Sequence, residues 1–133
     1  MNLRQVRTDS APAAIGPYSQ GVVVDTSAHG IARLLMTAGQ IGLEPATGEM
    51  VKGGVPAETE RAIRNLEGIL AAEGLSLGNV IKTTVYLAAM EDFAPMNEVY
   101  ARFFFERPPA RSTVAVLGLP KGARVEIEAW AAR

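Results

Sequence analysis

The chain has no cysteine and a single histidine, His29. The first absence excludes disulfides, thiolate zinc sites, iron–sulfur clusters and a cysteine nucleophile. The second excludes any site built from two histidines and argues against a Ser–His relay. No stretch approaches the roughly eighteen apolar residues of a membrane span. Met1-Asn2-Leu3-Arg4-Gln5-Val6-Arg7 has no apolar run after its charges, so no secretory signal is expected. Neither sign of charge dominates, since 13 basic and 14 acidic residues leave a formal net charge of -1. A dedicated nucleic-acid binder is normally more basic. The glycines form neither GxxxxGK[ST] nor GxGxxG, so no phosphate-cradling loop is visible. The expectation is a cytoplasmic protein with no membrane, nucleic-acid or metal partner.

What is present suffices for a core. The 133 residues are 48% hydrophobic and 20% charged, which excludes a disordered chain. That length predicts one domain over 1–133, burying about two-thirds of its unfolded surface. The N-terminal forty residues read as strands. Gly21 to Asp25 is a β-branched run, Thr26-Ser27-Ala28-His29-Gly30 a turn, and Leu34 to Ala38 the returning strand. Pro12, Gly16 and Pro17 forbid regular structure between Ala11 and Ser19. A helix is predicted from near Pro56, with Ala62, Ile63, Leu66, Ile69 and Leu70 on its apolar face. Glu58, Glu60, Arg61, Arg64 and Glu67 fall on the other face, and Gly74 caps the C-terminus after Glu73.

Asn79 to Leu87 reads as a strand with Ile81, Thr83, Val85 and Leu87 on one face. A second helix follows, with Asp92 as candidate N-cap and Phe93, Met96, Tyr100, Phe103 and Phe104 on its apolar side. Pro108-Pro109 ends it. Ser112 to Leu117 and Arg124 to Ala131 are the closing strands. In the last, Val125, Ile127, Ala129 and Ala131 alternate with Arg124, Glu126, Glu128 and Trp130. The order ββ(β)–α–β–α–β–β defines a two-layer α+β domain. Two helices cover one face of such a sheet, yet Val22-Val23-Val24 and Val114 to Leu117 are apolar on both. Strands of that kind are usually buried on both sides, so the remaining face is expected to meet another copy of the chain.

Several residues could carry chemistry. Arg111 follows Pro108-Pro109-Ala110 and precedes a strand, and its planar fork could hold a carboxylate bidentately. An arginine so placed is more often a surface residue. Glu126 and Glu128 read first as a solvated strand face, although a glutamate there could orient or deprotonate a water. Asn97 sits among Phe93, Tyr100 and Phe104, where it could cap a loop, bridge subunits or touch a ligand. Tyr18 is either a packing aromatic or a hydrogen-bond donor on its loop. His29 reads as a turn residue.

Taken in order, several segments resemble the RidA/YjgF family. They are Ala11 to Gln20 (APAAIGPYSQ), Thr37-Ala38-Gly39-Gln40-Ile41, Val80 to Tyr86, Asp92 to Asn97, Pro109 to Val114, and Leu119-Pro120 leading to Val125-Glu126-Ile127-Glu128-Ala129. The resemblance spans essentially the whole chain. It implies a chorismate-mutase-like fold, with one mostly antiparallel sheet, two helices on one face, and a homotrimer with ligand clefts between subunits. It implies hydrolysis of reactive 2-imino acids or their enamine tautomers, such as 2-iminobutanoate and 2-aminoacrylate, to 2-keto acids and ammonia. These are by-products of pyridoxal-phosphate enzymes, and no metal or organic cofactor is needed. By resemblance Arg111 matches the carboxylate-binding arginine and Glu126 the glutamate that positions water. Tyr18, Asn97, Ala38, Gly39 and Thr113 match the cleft. Ala38 stands where many members have serine, and Thr113 where many have cysteine. The alternatives are an enzyme for another enamine, such as an aminomuconate-type catabolite, or a non-catalytic protein that binds carboxylate metabolites or acts as a chaperone.

Overall fold

A computed structural model describes residues 2–25 and 33–133. The turn assigned to Thr26–Gly30, with His29, lies outside the described residues. Six strands and two helices follow in the order β1 (Asn2–Val6), β2 (Gly21–Asp25), β3 (Arg33–Thr37), α1 (Gly54–Ala71), β4 (Val80–Leu87), α2 (Phe93–Phe103), β5 (Ala110–Ala115) and β6 (Val125–Ala132). They form one sheet in the order β1-β2-β3-β6-β4-β5. Every pairing is antiparallel except β4 with β5, which α2 connects as a crossover.

The helices share one face of the sheet. Ala62, Ile63, Leu66, Ile69 and Leu70 of α1 are fully buried, as their spacing predicts, and join Met96 and Tyr100 of α2 in the core. The sheet supplies Val23, Leu35, Val85, Leu87, Val125, Ile127, Ala129 and Ala131, all without solvent exposure. The end of α1 also follows its sequence signal. Gly74 takes φ +69°, and the Leu75 N–H reaches back to the Leu70 carbonyl at 2.9 Å, closing a Schellman-type end that favours glycine. The opposite sheet face carries Val22, Val24, Leu34 and Met36, half-buried, and Trp130, 46% exposed. No segment of the described chain covers it.

Five expectations are corrected. The first helix begins at Gly54, two residues before Pro56. Ile81 leaves the buried face and is half exposed, because β4 bulges: Val80 pairs with Ala131 and Lys82 already with Trp130. Glu58 is buried rather than outward, and its Oε1 accepts the Arg124 backbone N–H at 2.9 Å. Asp92 does not cap α2. Its backbone is helical (φ -81°, ψ -3°), unlike the extended backbone typical of an N-cap, and its carboxylate grips the Arg124 guanidinium at 2.8 Å. The fifth strand spans Ala110–Ala115 rather than Ser112 to Leu117, so Arg111 lies within it. Pairing with β4 sets that span, from Lys82 opposite Ala110 to Leu87 opposite Ala115. Beyond Leu87 the partner strand ends, and Leu117 is fully exposed.

Candidate active site

A cleft of about 600 Å³ opens where the end of β3 runs against β6. Tyr18, Ala38, Gly39, Gln40, Lys121 and Glu126 line it, with apolar walls from Ile15, Ile41 and Leu43. Its floor comes from a break in register. Met36 pairs with Trp130, and Gln40 pairs with Ile127. Four steps along one strand therefore oppose three along the other. The extra residue makes a bulge, a device that re-aims side chains next to sites. The Thr37 hydroxyl accepts the Ala129 N–H at 3.0 Å and satisfies the donor that the bulge strands. Ala38 and Gly39 follow at once, and Gly39 lies beneath Glu126. A Cβ at Gly39 would come within 2.8 Å of the Glu126 carboxyl carbon. Glycine is required here for close approach, not for a special φ.

Glu126 is half-buried on the sheet face opposite the helices. It has no ion-pair partner among the described residues. Burial pushes its pKa above the ordinary 4.5, and the neighbouring charge of Glu128 pushes it further. Glu128 is held by the Tyr86 hydroxyl, which donates to it at 3.2 Å. The two glutamates thus differ. One is bonded, the other unspent and raised toward the range of a general base.

Buried amides that pattern reading passed over hold the cleft walls. Gln20 is 4% exposed and ties down the N-terminal loop: its Nε2 donates to the Thr8 and Pro12 carbonyls at 2.9 and 2.8 Å, and its Oε1 accepts the Thr8 N–H at 2.8 Å. Asn65 of α1 donates to the carbonyls of Ile41 and Leu43 at 3.1 and 2.9 Å, fixing the far wall. An amide inside an apolar helix face was the available signal, since a buried amide needs partners. Tyr18 remains 52% exposed at the mouth, its hydroxyl 3.5 Å from the Ile15 N–H.

The other predicted residues lie elsewhere. Arg111 and Thr113 are on β5, opposite Thr83 and Val85 of β4, and so face the helices. The guanidinium of Arg111 sits 4.6 Å from the Tyr100 ring centre and 5.6 Å from that of Phe93. It has no carboxylate partner among the described residues. The Thr113 hydroxyl is buried and unpartnered there. Asn97 is half-buried on α2, outside the cleft lining. One chain therefore brings together Tyr18, Ala38, Gly39 and Glu126, and separately Arg111 and Thr113. It does not join the two groups, which occupy opposite faces of the sheet. No cluster of metal-binding side chains occurs among the described residues.

An α+β domain with a lone carboxylate over a glycine, and an unspent arginine at the far sheet edge, is the class that geometry defines. The sequence profile of the family described as Endoribonuclease L-PSP matches residues 8–133. The 2-iminobutanoate/2-iminopropanoate deaminase of Mus musculus is 49% identical over 126 residues, covering 95% of this chain and 88% of that protein. Among solved structures, the YjgF gene product of E. coli is 43% identical with a TM-score of 0.86, covering 98% of each chain. E. coli TdcF with bound serine is 42% identical with a TM-score of 0.86, again covering 98% of each. The chain belongs to the RidA/YjgF family, under which the L-PSP profile falls.

Proposed function

We propose that this protein hydrolyses small 2-imino acids, or their enamine tautomers, to 2-keto acids and ammonia in a cleft completed by a second copy of the chain. The observation that carries this reading is the unpaired, half-buried Glu126 carboxylate lying over Gly39. The imine carbon is already electrophilic, so the protein supplies orientation and a proton acceptor. Glu126 takes a proton from water as its oxygen adds to that carbon, and the proton then returns to nitrogen. Glu126 then takes the proton of the new hydroxyl and passes it to the amino nitrogen as the C–N bond breaks, so ammonia leaves and the carbonyl forms. Arg111 supplies the fork for the substrate carboxylate, with the Thr113 hydroxyl beside it on the same strand face. Tyr18, Ala38 and Gly39 wall the reacting end, and Asn97 borders the arginine's half. Because Glu126 and Arg111 face opposite ways in one chain, the complete site takes its acid from one copy and its arginine from another. A homotrimer packed through the apolar sheet face meets that requirement.

The names and titles of relatives support this substrate class: a 2-imino acid deaminase and a structure holding serine. The endoribonuclease name attached to the family profile finds less support here. Lys121 is the one basic residue in the described lining, whereas RNA backbones call for several cations. The substrates arise in the cytoplasm as by-products of pyridoxal-phosphate enzymes.

The test couples the protein to a threonine/serine dehydratase and traps the imine with semicarbazide. Wild type should lower the trapped fraction, and Arg111→Ala and Glu126→Gln should not. Tight binding of 2-oxobutanoate without any loss of trapped imine would point instead to a metabolite-binding protein.

A further inference from the structure

Arg111 is half-buried without a carboxylate partner in the described chain, so something other than an ion pair must hold it. The guanidinium lies against two aromatic rings, 4.6 Å from the centre of Tyr100 and 5.6 Å from that of Phe93. Both distances are within reach of a cation–π contact. Tyr100 is itself immobile. It is 5% exposed, its ring packs on Phe104 at 4.5 Å, and its hydroxyl is joined to the Thr83 hydroxyl at 2.7 Å in the core. Thr83 is also the cross-strand neighbour of Arg111 in the β4–β5 pairing. The arginine's backbone and the ring beneath its head are thus anchored to the same residue.

We infer that Tyr100 is a positioning residue for Arg111: its ring face, locked by Thr83, aims the guanidinium so that the N–H fork stays free for an incoming carboxylate. A carboxylate partner would also hold the arginine still, but it would occupy the fork. An aromatic face holds the flat side and leaves the edge open. This inference rests on Arg111 being the carboxylate anchor proposed above.

The assembled protein tests it through three variants. Tyr100→Leu removes the ring face, and Tyr100→Phe keeps it while losing the bond to Thr83. Arg111→Lys keeps the charge and loses the fork. Loss of aim at an anchoring group weakens binding by on the order of ten-fold. Tyr100→Leu is therefore expected to raise KM for 2-iminobutanoate, and the calorimetric Kd for 2-oxobutanoate, about ten-fold, with kcat within about three-fold of wild type. Tyr100→Phe should restore both constants to within about three-fold of wild type, a rescue that a role in stability alone does not predict. Binding of the uncharged 2-oxobutanamide should not change. A Tyr100→Leu protein that melts cooperatively with unchanged KM and Kd overturns the inference. So does a Tyr100→Phe protein as impaired as Tyr100→Leu. If Tyr100→Leu does not fold, Tyr100→Met, which keeps bulk and loses the ring face, is read in its place: a rise of about ten-fold in the same Kd is expected, and an unchanged Kd overturns the inference. Arg111→Lys separates the two layers. If it leaves KM and Kd unmoved, the anchor itself is wrong and the positioning role falls with it. If it raises both while the variant lacking the Tyr100 ring does not, only the positioning role fails.

Discussion

Glu126 is made a stronger base by surroundings that do nothing to stabilise its charge. Its pKa lies above 4.5, first through burial and then through Glu128. A base must be deprotonated to act, so kcat/KM for imine hydrolysis should rise with pH through that elevated value. The acid limb of the profile should sit above the ordinary glutamate value of 4.5. Glu128→Gln removes the neighbouring charge and should move the limb to lower pH without abolishing activity. A limb that stays put would place the cause in burial alone. Gly39→Ala forces a Cβ against the Glu126 carboxyl. It should cut kcat at least ten-fold, within the usual range for a displaced acid–base group, while the melting temperature barely changes. Neither effect was legible in the sequence. Glu126 and Glu128 sit at equivalent alternating positions, and the physical difference between them comes from the Tyr86 hydroxyl and the bulge opposite.

Among the elements, α1 does more than cover the sheet. Through Asn65 it holds the carbonyls of Ile41 and Leu43, and through Glu58 the turn that leads into β6. Asn65→Ala removes the buried donor from the Leu43 carbonyl and leaves the Ile41 carbonyl with the Leu43 N–H alone. It should cost about 1–3 kcal/mol in chemical denaturation and loosen the cleft wall. The other end of α1 meets β1 and β3 through ions. Arg4 forms a bidentate pair with Glu73 at 2.8 and 2.6 Å, and the Arg33 guanidinium lies 3.9 Å from the same carboxylate. The hydrogen bonds from Arg4 hold the Glu73 carboxyl below its usual 4.5. A depressed carboxylate contributes stability above its unfolded pKa and loses it as pH falls through the lower folded value. Acid melting below about pH 4.5 should therefore be shallower in Glu73→Gln than in wild type. The apolar faces of α1 and β6 were plain from periodicity, because each repeats one pattern over several turns or pleats. The bulge at Ile81, the burial of Glu58 and the diversion of Asp92 were not. The first depends on a partner strand, and the other two on Arg124, distant in sequence.

For the whole molecule, the doubly apolar strands were a readable sign that the chain alone does not bury its sheet, and the exposed Trp130 and half-buried Val22, Val24, Leu34 and Met36 agree. Light scattering should give three times the 14.1 kDa chain mass. The residues proposed for the site were singled out by family resemblance, but the sheet face each occupies was not legible, since that of Arg111 depends on β5 pairing parallel to β4. The proposed division of the site between copies has a direct test. Arg111→Ala and Glu126→Gln, each inactive alone, should complement when mixed by dissociation and reassembly. Random pairing gives a site with both groups at one-half times one-half, about a quarter of wild-type activity. A site confined to one chain would give none. Placing the two groups on opposite faces of one sheet also ties chemistry to mass action. If the site is divided between copies as proposed, each dissociated chain would carry half a catalyst, and turnover per chain should collapse on dilution below the assembly constant. A charge introduced at Trp130, which lies outside the cleft lining, would then read as an active-site lesion, and one that added protein concentration reverses.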